Sequence, residues 1–335
     1  MREVRVREFG GPEVLEVAEA PDPSPAPGEV LVDVAAADVM YLDTLVRRGW
    51  GGDFFPVRPP YVPGNGMGGR VAAVGAGVDA AWVGAGVVAE TGPADPETGV
   101  STAPTGGSAE RVAVAAHRLV PVPAGVEVRD AVAVLHDGPT ALRLAEAGAV
   151  RPGAWVLVAA AAGGGGSLLV QLVRAAGGRV IGAARGERKL ELVRGLGAEA
   201  VVDYSAPDWA DRVRALTGGR GADVVYDGAS GAIGRTAFEL TAPGGRFVTY
   251  GTTDGEFAPV DPEDAARRGV ELTTLFGLLD MTGARKRDSV AQVLELVAKG
   301  ELRPVIGQTF RFAEAAAAHA AFESRSTVAK TLLVP

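Results

Sequence analysis

Cysteine is absent from this 335-residue sequence, and histidine occurs only three times, as His117, His136 and His319. Without cysteine there can be no disulfide, no thiolate nucleophile, no iron–sulfur cluster and no cysteine-ligated zinc. No two of the histidines have the spacing that chelates one metal from a single helix, so the expectation is a protein with no metal ligands. Positive charge is also short: 33 Lys and Arg stand against 41 Asp and Glu, a net charge of −8. That balance offers no basic footprint to nucleic acid or to an anionic membrane surface. The opening MREVRVREFG lacks the apolar core of a signal peptide. With no export signal and no cysteine, the expected location is the cytoplasm.

One long apolar run raises the question of a membrane span: VLVAAAAGGGGSLLVQLV, residues 156–173. Four consecutive glycines interrupt it, and alternating strand and helix patterns follow it, so a strand turning sharply into a helix is the better reading. AWVLVAA, RVIGAA, EAVVDY, ADVVYDGAS and GRFVTYG read as strands. SLLVQLVRAAG, ERKLELVRGLG, PDWADRVRALTGG and AIGRTAFELTAPG read as helices that each end at a glycine. Continuous apolar strands between such helices predict an α/β fold, a Rossmann-like doubly wound parallel sheet. The first ~120 residues differ, with short Val- and Ala-rich strands such as EVLVDVAAADV (29–39), GRVAAVG (69–75) and SAERVAV (108–114). The segment TGPADPETGVSTAPTGG (91–107) reads as a mobile polar loop.

The glycines fall where the first strand enters the first helix, as Ala161-x-Gly163-x-x-Gly166. A turn built from Gly163, Gly164, Gly165 and Gly166 lets backbone N–H groups approach a pyrophosphate, with a helix N-terminus behind them. Enzymes that use NAD place Asp or Glu about 20 residues further on, against the ribose 2′-hydroxyl. Here that region reads GAARGERK, with no acid before Glu187 and a cluster of Arg185, Arg188 and Lys189. Guanidinium without carboxylate suits the 2′-phosphate of NADPH.

Seven stretches then carry a resemblance: DTLVRRG (43–49), VPGNGMGGRVAAVG (62–75), LHDGPTAL (135–142), AAAGGGG (160–166), KLELVRGLGAEAVVDY (189–204), DVVYDGASG (223–231) and GGRFVTYG (244–251). Together they resemble the zinc-free quinone oxidoreductase branch of the medium-chain dehydrogenase/reductase superfamily, over nearly the whole chain. The resemblance implies a GroES-like β-rich catalytic domain (1–121 and 291–335), a Rossmann-like NADPH-binding domain (122–290) and an active site in the cleft between them. It also implies cofactor contacts from Thr140, Tyr204, Gly251, Thr252 and Phe276, with Tyr204 near the adenosine 2′-phosphate. The chain departs from the branch at Met40, where Asn is usual, at Gly66, where Glu is usual, at GAGV (84–87) for GDRV, and at Gly165 for Val.

Hydride reduction of a quinone or an activated C=C leaves negative charge on oxygen, which needs a nearby donor. Tyr41 could supply a hydrogen bond or proton and Asp43 could orient it, with Arg47 one helical turn further on to pair with Asp43. His136 is a further candidate donor, or a structural histidine, and water could also supply the proton. Three functions fit these residues. They are a metal-free NADPH:quinone reductase, a reductase of α,β-unsaturated ketones, aldehydes or thioesters, and a non-catalytic NADPH-binding sensor. Finally, GVELTTLFGLL (269–279) reads as an uncharged edge strand apart from Glu271, which predicts a homodimer built by strand pairing.

Overall fold

The computed structural model describes residues 1–95, 97, 101–252, 256–278 and 283–335, and of Phe276 the backbone only. The chain divides into two units, one of residues 1–139 with 281–335 and one of residues 140–280. The sequence expectation put the divisions at 121/122 and 290/291. The difference comes from two helices that pack on the first unit's β-rich core.

The first unit opens with a hairpin of β1 (Arg2–Val6) and β2 (Leu15–Glu19). Strand β3 (Glu29–Val39) follows, then α1 (Tyr41–Arg47), β4 (Gly66–Val74), β5 (Gly86–Glu90), β6 (Arg111–Ala115), β7 (Val120–Pro121) and α2 (Val128–Val134). Helix α2 joins this unit because its Val128 and Val132 fill the space beside Gly68, where an added Cβ would meet Val132 at 2.5 Å and Val128 at 3.0 Å. The core side chains alternate along the strands, with Val30, Val32, Met67, Val71 and Val87 all buried together. Each such side chain withdrawn from water contributes about 1.5–3 kcal/mol.

Helix α3 (Asp137–Gly148) leads into the second unit. There β8 (Trp155–Ala159), α4 (Gly164–Ala175), β9 (Arg179–Ala184), α5 (Glu187–Gly195), β10 (Ala200–Asp203) and α6 (Trp209–Leu216) alternate. They are followed by β11 (Ala222–Asp227), α7 (Gly231–Glu239), β12 (Thr241–Thr249), α8 (Pro262–Arg267), β13 (Glu271–Thr274) and α9 (Leu275–Leu278). The six strands are parallel and ordered β10-β9-β8-β11-β12-β13, a doubly wound sheet that reverses direction between β8 and β11. Leu157, Ile181, Val225 and Phe247 are buried within it, as continuous apolar runs covered on both faces require.

The chain returns to the first unit through α10 (Gly283–Ala298), β14 (Ile306–Arg311), α11 (Ala315–Glu323) and β15 (Lys330–Val334). Strand β15 pairs antiparallel with β3 and extends that sheet to the order β14-β15-β3-β4-β5-β7, with β6 also on β3.

Three local expectations are corrected. Helix α4 begins inside the glycine run rather than after it, because Gly163 takes the extended N-cap position and the next three glycines form the first turn. Left-handed glycines do follow α4, α5 and α6 at Gly177, Gly197 and Gly218. Helix α7, however, stops at Glu239, because the next residues join the sheet and Thr241 pairs with Ala222. The edge strand is shorter than expected: β13 does form the sheet's edge, but it turns into α9 at Leu275, and Leu279 lies outside the described residues.

Candidate active site

Nucleotide-binding features gather at the carboxyl ends of β8 and β11, the point where strand order reverses. Both strands end in a non-glycine residue with positive φ close behind, Ala160 at 59° and Ser230 at 55°. Such conformations are costly and tend to persist where function over-determines them. After β8 the backbone leaves no room for side chains: a Cβ on Gly166 would lie 2.4 Å from the Ala160 carbonyl oxygen. Gly163 sits 3.3 Å from the same oxygen by that measure, and Gly164 and Gly165 open α4 with their N–H groups at the helix's positive end. After β11, Asp227 accepts the N–H groups of Ala229 (3.0 Å) and Ser230 (2.9 Å) and the Thr249 hydroxyl (3.1 Å). Burial nevertheless lifts its carboxyl above the usual range. Gly251 approaches this turn so closely that a Cβ there would lie 2.2 Å from the Gly228 carbonyl oxygen. Thr252 follows it, half-buried.

The end of β9 bears directly on cofactor choice. Arg185 and Arg188 are exposed and Lys189 is half-buried. A carboxylate missed in the sequence arrives from the neighbouring strand, since Asp203 of β10 is in register with Ala184 of β9. Both its oxygens accept hydrogen bonds from the adjoining turns. Oδ2 accepts the Gly186 N–H at 3.0 Å, and Oδ1 accepts the Ser205 N–H and hydroxyl at 2.8 and 2.5 Å. Asp203 therefore pins the β9–α5 turn, whose Gly186 has φ 80°. Tyr204 follows, half-buried, its N–H donating to Ala184 at 3.2 Å. Thr140 lies half-buried in α3, and the side chain of Phe276 lies outside the described residues.

In the first unit the candidate catalytic residues meet a buried ion network. Tyr41 is the first residue of α1 and half-buried. Asp43 is 3% exposed; its Oδ2 accepts the Met40 N–H at 2.8 Å, closing the helix's first turn. Burial, reinforced by the nearby Asp38 carboxylate, pushes the Asp43 carboxyl up to about 7. The expected Asp43–Arg47 pair does not form. Arg47, fully buried, instead reaches across to Glu323 of α11 and to the Gly10 carbonyl at 3.1 Å, because α1 packs its Arg47 face against α11.

His136, between α2 and α3, lies at the centre of the network. Its Nδ1 is 2.9 Å from Asp38 Oδ2 and its Nε2 is 3.3 Å from Glu90 Oε1. Lys330 of β15 bridges Asp38 and Asp137, each at 3.0 Å, and Lys286 of α10 sits 3.0 Å from Glu90. Three carboxylates thus face three cations. Burial alone would neutralise the His136 ring, but Asp38 and Glu90 outweigh it and raise its pKa to about 9. Burial would likewise raise Asp38, yet Lys330 and His136 hold it well below the usual carboxylate range. Glu90, opposed by burial but bound to His136 and Lys286, falls to about 2. Gly66 makes room for this arrangement, since a Cβ there would stand 2.6 Å from His136 Cε1 and 2.5 Å from Leu135 Cδ2. From the polar 91–107 segment, Ser101 Oγ lies 3.2 Å from Asn65 Oδ1, and Asn65 Nδ2 lies 3.2 Å from His136 Nε2. Among the described residues no group of three or more His, Asp or Glu side chains is arranged to hold a metal ion, and no helix is long and apolar enough to cross a membrane.

Comparison with known proteins agrees with this architecture. Residues 26–124 match the alcohol dehydrogenase GroES-like domain family, and residues 196–333 match the zinc-binding dehydrogenase family. A quinone oxidoreductase of Pseudomonas aeruginosa is 32% identical over 100% of this chain and 99% of its own. A 2-haloacrylate reductase of a Burkholderia species is 32% identical over 98% of each chain. The crystal structure of Escherichia coli quinone oxidoreductase complexed with NADPH superposes with a TM-score of 0.86 at 26% identity, covering 100% of both chains. With its GroES-like β-rich unit and Rossmann-like sheet, the chain belongs to the quinone oxidoreductase branch of the medium-chain dehydrogenase/reductase superfamily.

Proposed function

We propose that this protein is an NADPH-dependent reductase that delivers a hydride to a quinone without a metal ion. The observation that carries the cofactor assignment is the β9 end. Asp203, which reaches it from β10, accepts hydrogen bonds from Gly186 and Ser205 and so pins the turn, while Arg185 and Lys189 supply positive charge suited to a 2′-phosphate. The glycine turn fits the pyrophosphate, because side chains at Gly166 would collide with Ala160 and the α4 N-terminus offers free N–H groups. Gly163 to Gly166 would hold the pyrophosphate, Arg185, Lys189 and Tyr204 the adenosine phosphate, and Thr140, Gly251, Thr252 and Phe276 the nicotinamide half.

When bound, NADPH would supply a hydride, which carries both electrons; the chain's own residues orient the substrate and manage its proton. Tyr41 would donate a hydrogen bond to the substrate oxygen, and Asp43 fixes the turn carrying it through the Met40 N–H. Metal-free chemistry is favoured by the absence of cysteine and by glycine at position 66, which supplies no ligand and where an added Cβ would require Leu135 and His136 to shift. A second reading, reduction of an activated alkene, is favoured by the 2-haloacrylate reductase relative, as similar in identity as the quinone oxidoreductase. The proposal extends to a homodimer paired through β13, an edge strand of the sheet.

Steady-state oxidation of NADPH with a panel of quinones and enones tests the function. Turnover of quinones supports the first reading and of enones alone the second. Binding of NADPH without turnover of either class would identify a sensor and overturn both.

A further inference from the structure

The product of two-electron reduction is an anion, an enolate or a hydroquinone monoanion, and it needs one proton. Resting on the reductase reading, we propose that His136 is the proton donor: its Nε2–H passes a proton to the substrate anion and regains one from solvent beside Glu90 and Lys286.

Three features of geometry support this. First, the two ring nitrogens meet partners of different exposure. Side-chain exposure runs from 0% at Asp38 and 4% at Lys330 to 13% at His136, 17% at Glu90 and 26% at Lys286. Nδ1 is thus anchored on the fully buried Asp38, and Nε2 faces the more exposed Glu90. Second, the ring is partnered in either protonation state. When charged, Nε2–H has an acceptor in Glu90 Oε1 at 3.3 Å; when neutral, its Nε2 lone pair has a donor in Asn65 Nδ2 at 3.2 Å. Nδ1–H stays on Asp38 throughout, at 2.9 Å, which fixes the tautomer. A histidine serving only as a structural ion partner has no need of the second arrangement. Third, the other histidines are unsuited. His319 is 1% exposed, and burial with the Arg47 charge nearby keeps it neutral, while His117 sits exposed in the turn after β6.

The proton balance is closed. The substrate gains H⁻ from the cofactor and H⁺ from Nε2, His136 becomes neutral, and one solvent proton restores it. The charged groups facing the ring are Asp38 of β3, Glu90 of β5 and, one step further, Lys330 of β15, Lys286 of α10 and Asp137 at the start of α3, with Asp43 of α1 beyond Asp38. The carboxylates in contact with the ring outweigh its burial and keep it charged at neutral pH.

The test uses the full chain with NADPH and either 1,4-naphthoquinone or 3-buten-2-one. For the wild type, kcat is expected to fall above pH ~9 as His136 loses its proton, with a solvent isotope effect on the plateau. His136→Gln is expected to lower kcat by about 10²-fold or more, the range of a general acid, to abolish the basic limb and to leave NADPH affinity unchanged. Glu90→Gln, which keeps the shape and removes one charge, is expected to move the basic limb to lower pH. That second variant decides the matter if His136→Gln does not fold. A His136→Gln enzyme with wild-type kcat, or a Glu90→Gln limb that stays in place, overturns the donor role and leaves the reductase reading intact. A wild type that turns over neither substrate class overturns the reading and the donor role together.

Discussion

Replacing Asp43 by Asn isolates the cost of a buried carboxylate. Asp43 is 3% exposed, accepts the Met40 N–H through Oδ2 at 2.8 Å, and leaves Oδ1 without a hydrogen-bond partner among the described residues. Its pKa is raised from 3.8 to about 7, first by burial and then by Asp38. A folded-state pKa above the unfolded one means that the folded chain binds the proton more tightly. The contribution of Asp43 to stability is therefore greatest below pH 4, declines between pH 4 and 7, and stays reduced by a constant amount above that. At about 1.4 kcal/mol per tenfold in proton affinity, the cost above pH 7 has a ceiling of ~4 kcal/mol. Asparagine keeps the Met40 bond through its oxygen and removes the charge, but it buries an N–H₂ group with no assured acceptor, a penalty of about 1–3 kcal/mol. Asp43→Asn is expected to be neutral or destabilising at pH 4 and more stable than the wild type at pH 8. Its advantage over the wild type should climb by up to ~4 kcal/mol across that range. Thermal melts at half-unit pH intervals read this directly, at ~2–4 °C per kcal/mol for a unit of this size. A difference between variant and wild type that does not change between pH 4 and 8 would refute a raised Asp43 pKa.

Other expectations follow from the nucleotide unit, the absence of cysteine and the edge strand β13. NADPH is expected to bind at least ~10-fold tighter than NADH, about 1.4 kcal/mol; Arg185→Ala should erode that preference selectively, and equal affinities in a fluorescence titration would reject the assignment. Activity is expected to survive chelation, and elemental analysis to find no stoichiometric zinc; one zinc per chain lost together with activity would reverse the metal-free reading. Light scattering is expected to give about twice the mass of one chain, with Thr273→Pro on the β13 edge shifting it toward one; a wild-type mass of one chain at micromolar concentration would remove the strand-paired dimer.

Much of the Rossmann-like unit could be read along the chain because its determinants are local. Apolar runs of strand length, helices closed by Gly177, Gly197 and Gly218, and the glycine turn of Gly163 to Gly166 are properties of neighbouring residues, and each reappears in the fold. Even the edge position of β13 followed from strand order in a doubly wound sheet. The helix ends that were misplaced, at Gly164 and at Glu239, are those where a neighbouring strand or the turn backbone overrode local preference. The ion network was a different matter. Asp38 and Lys330 each interrupt an apolar strand, in AAADV and VAKTLLV, and that was the one available signal that they pair. His136, Glu90 and Lys286 carry no such mark, being separated by 46 and 196 positions from Glu90 along the chain. Spacing predicted that Arg47 would meet Asp43 four residues away, whereas α11 brought it Glu323 from 276 residues away. The same holds at the cofactor end, where Asp203 reaches Gly186 only because β10 lies beside β9 in register. Backbone pattern and turn chemistry act over a few residues and so are written in the sequence. Which charges neutralise one another in a dry interior depends on distances of 3 Å between segments far apart in the chain, and only the folded packing sets those.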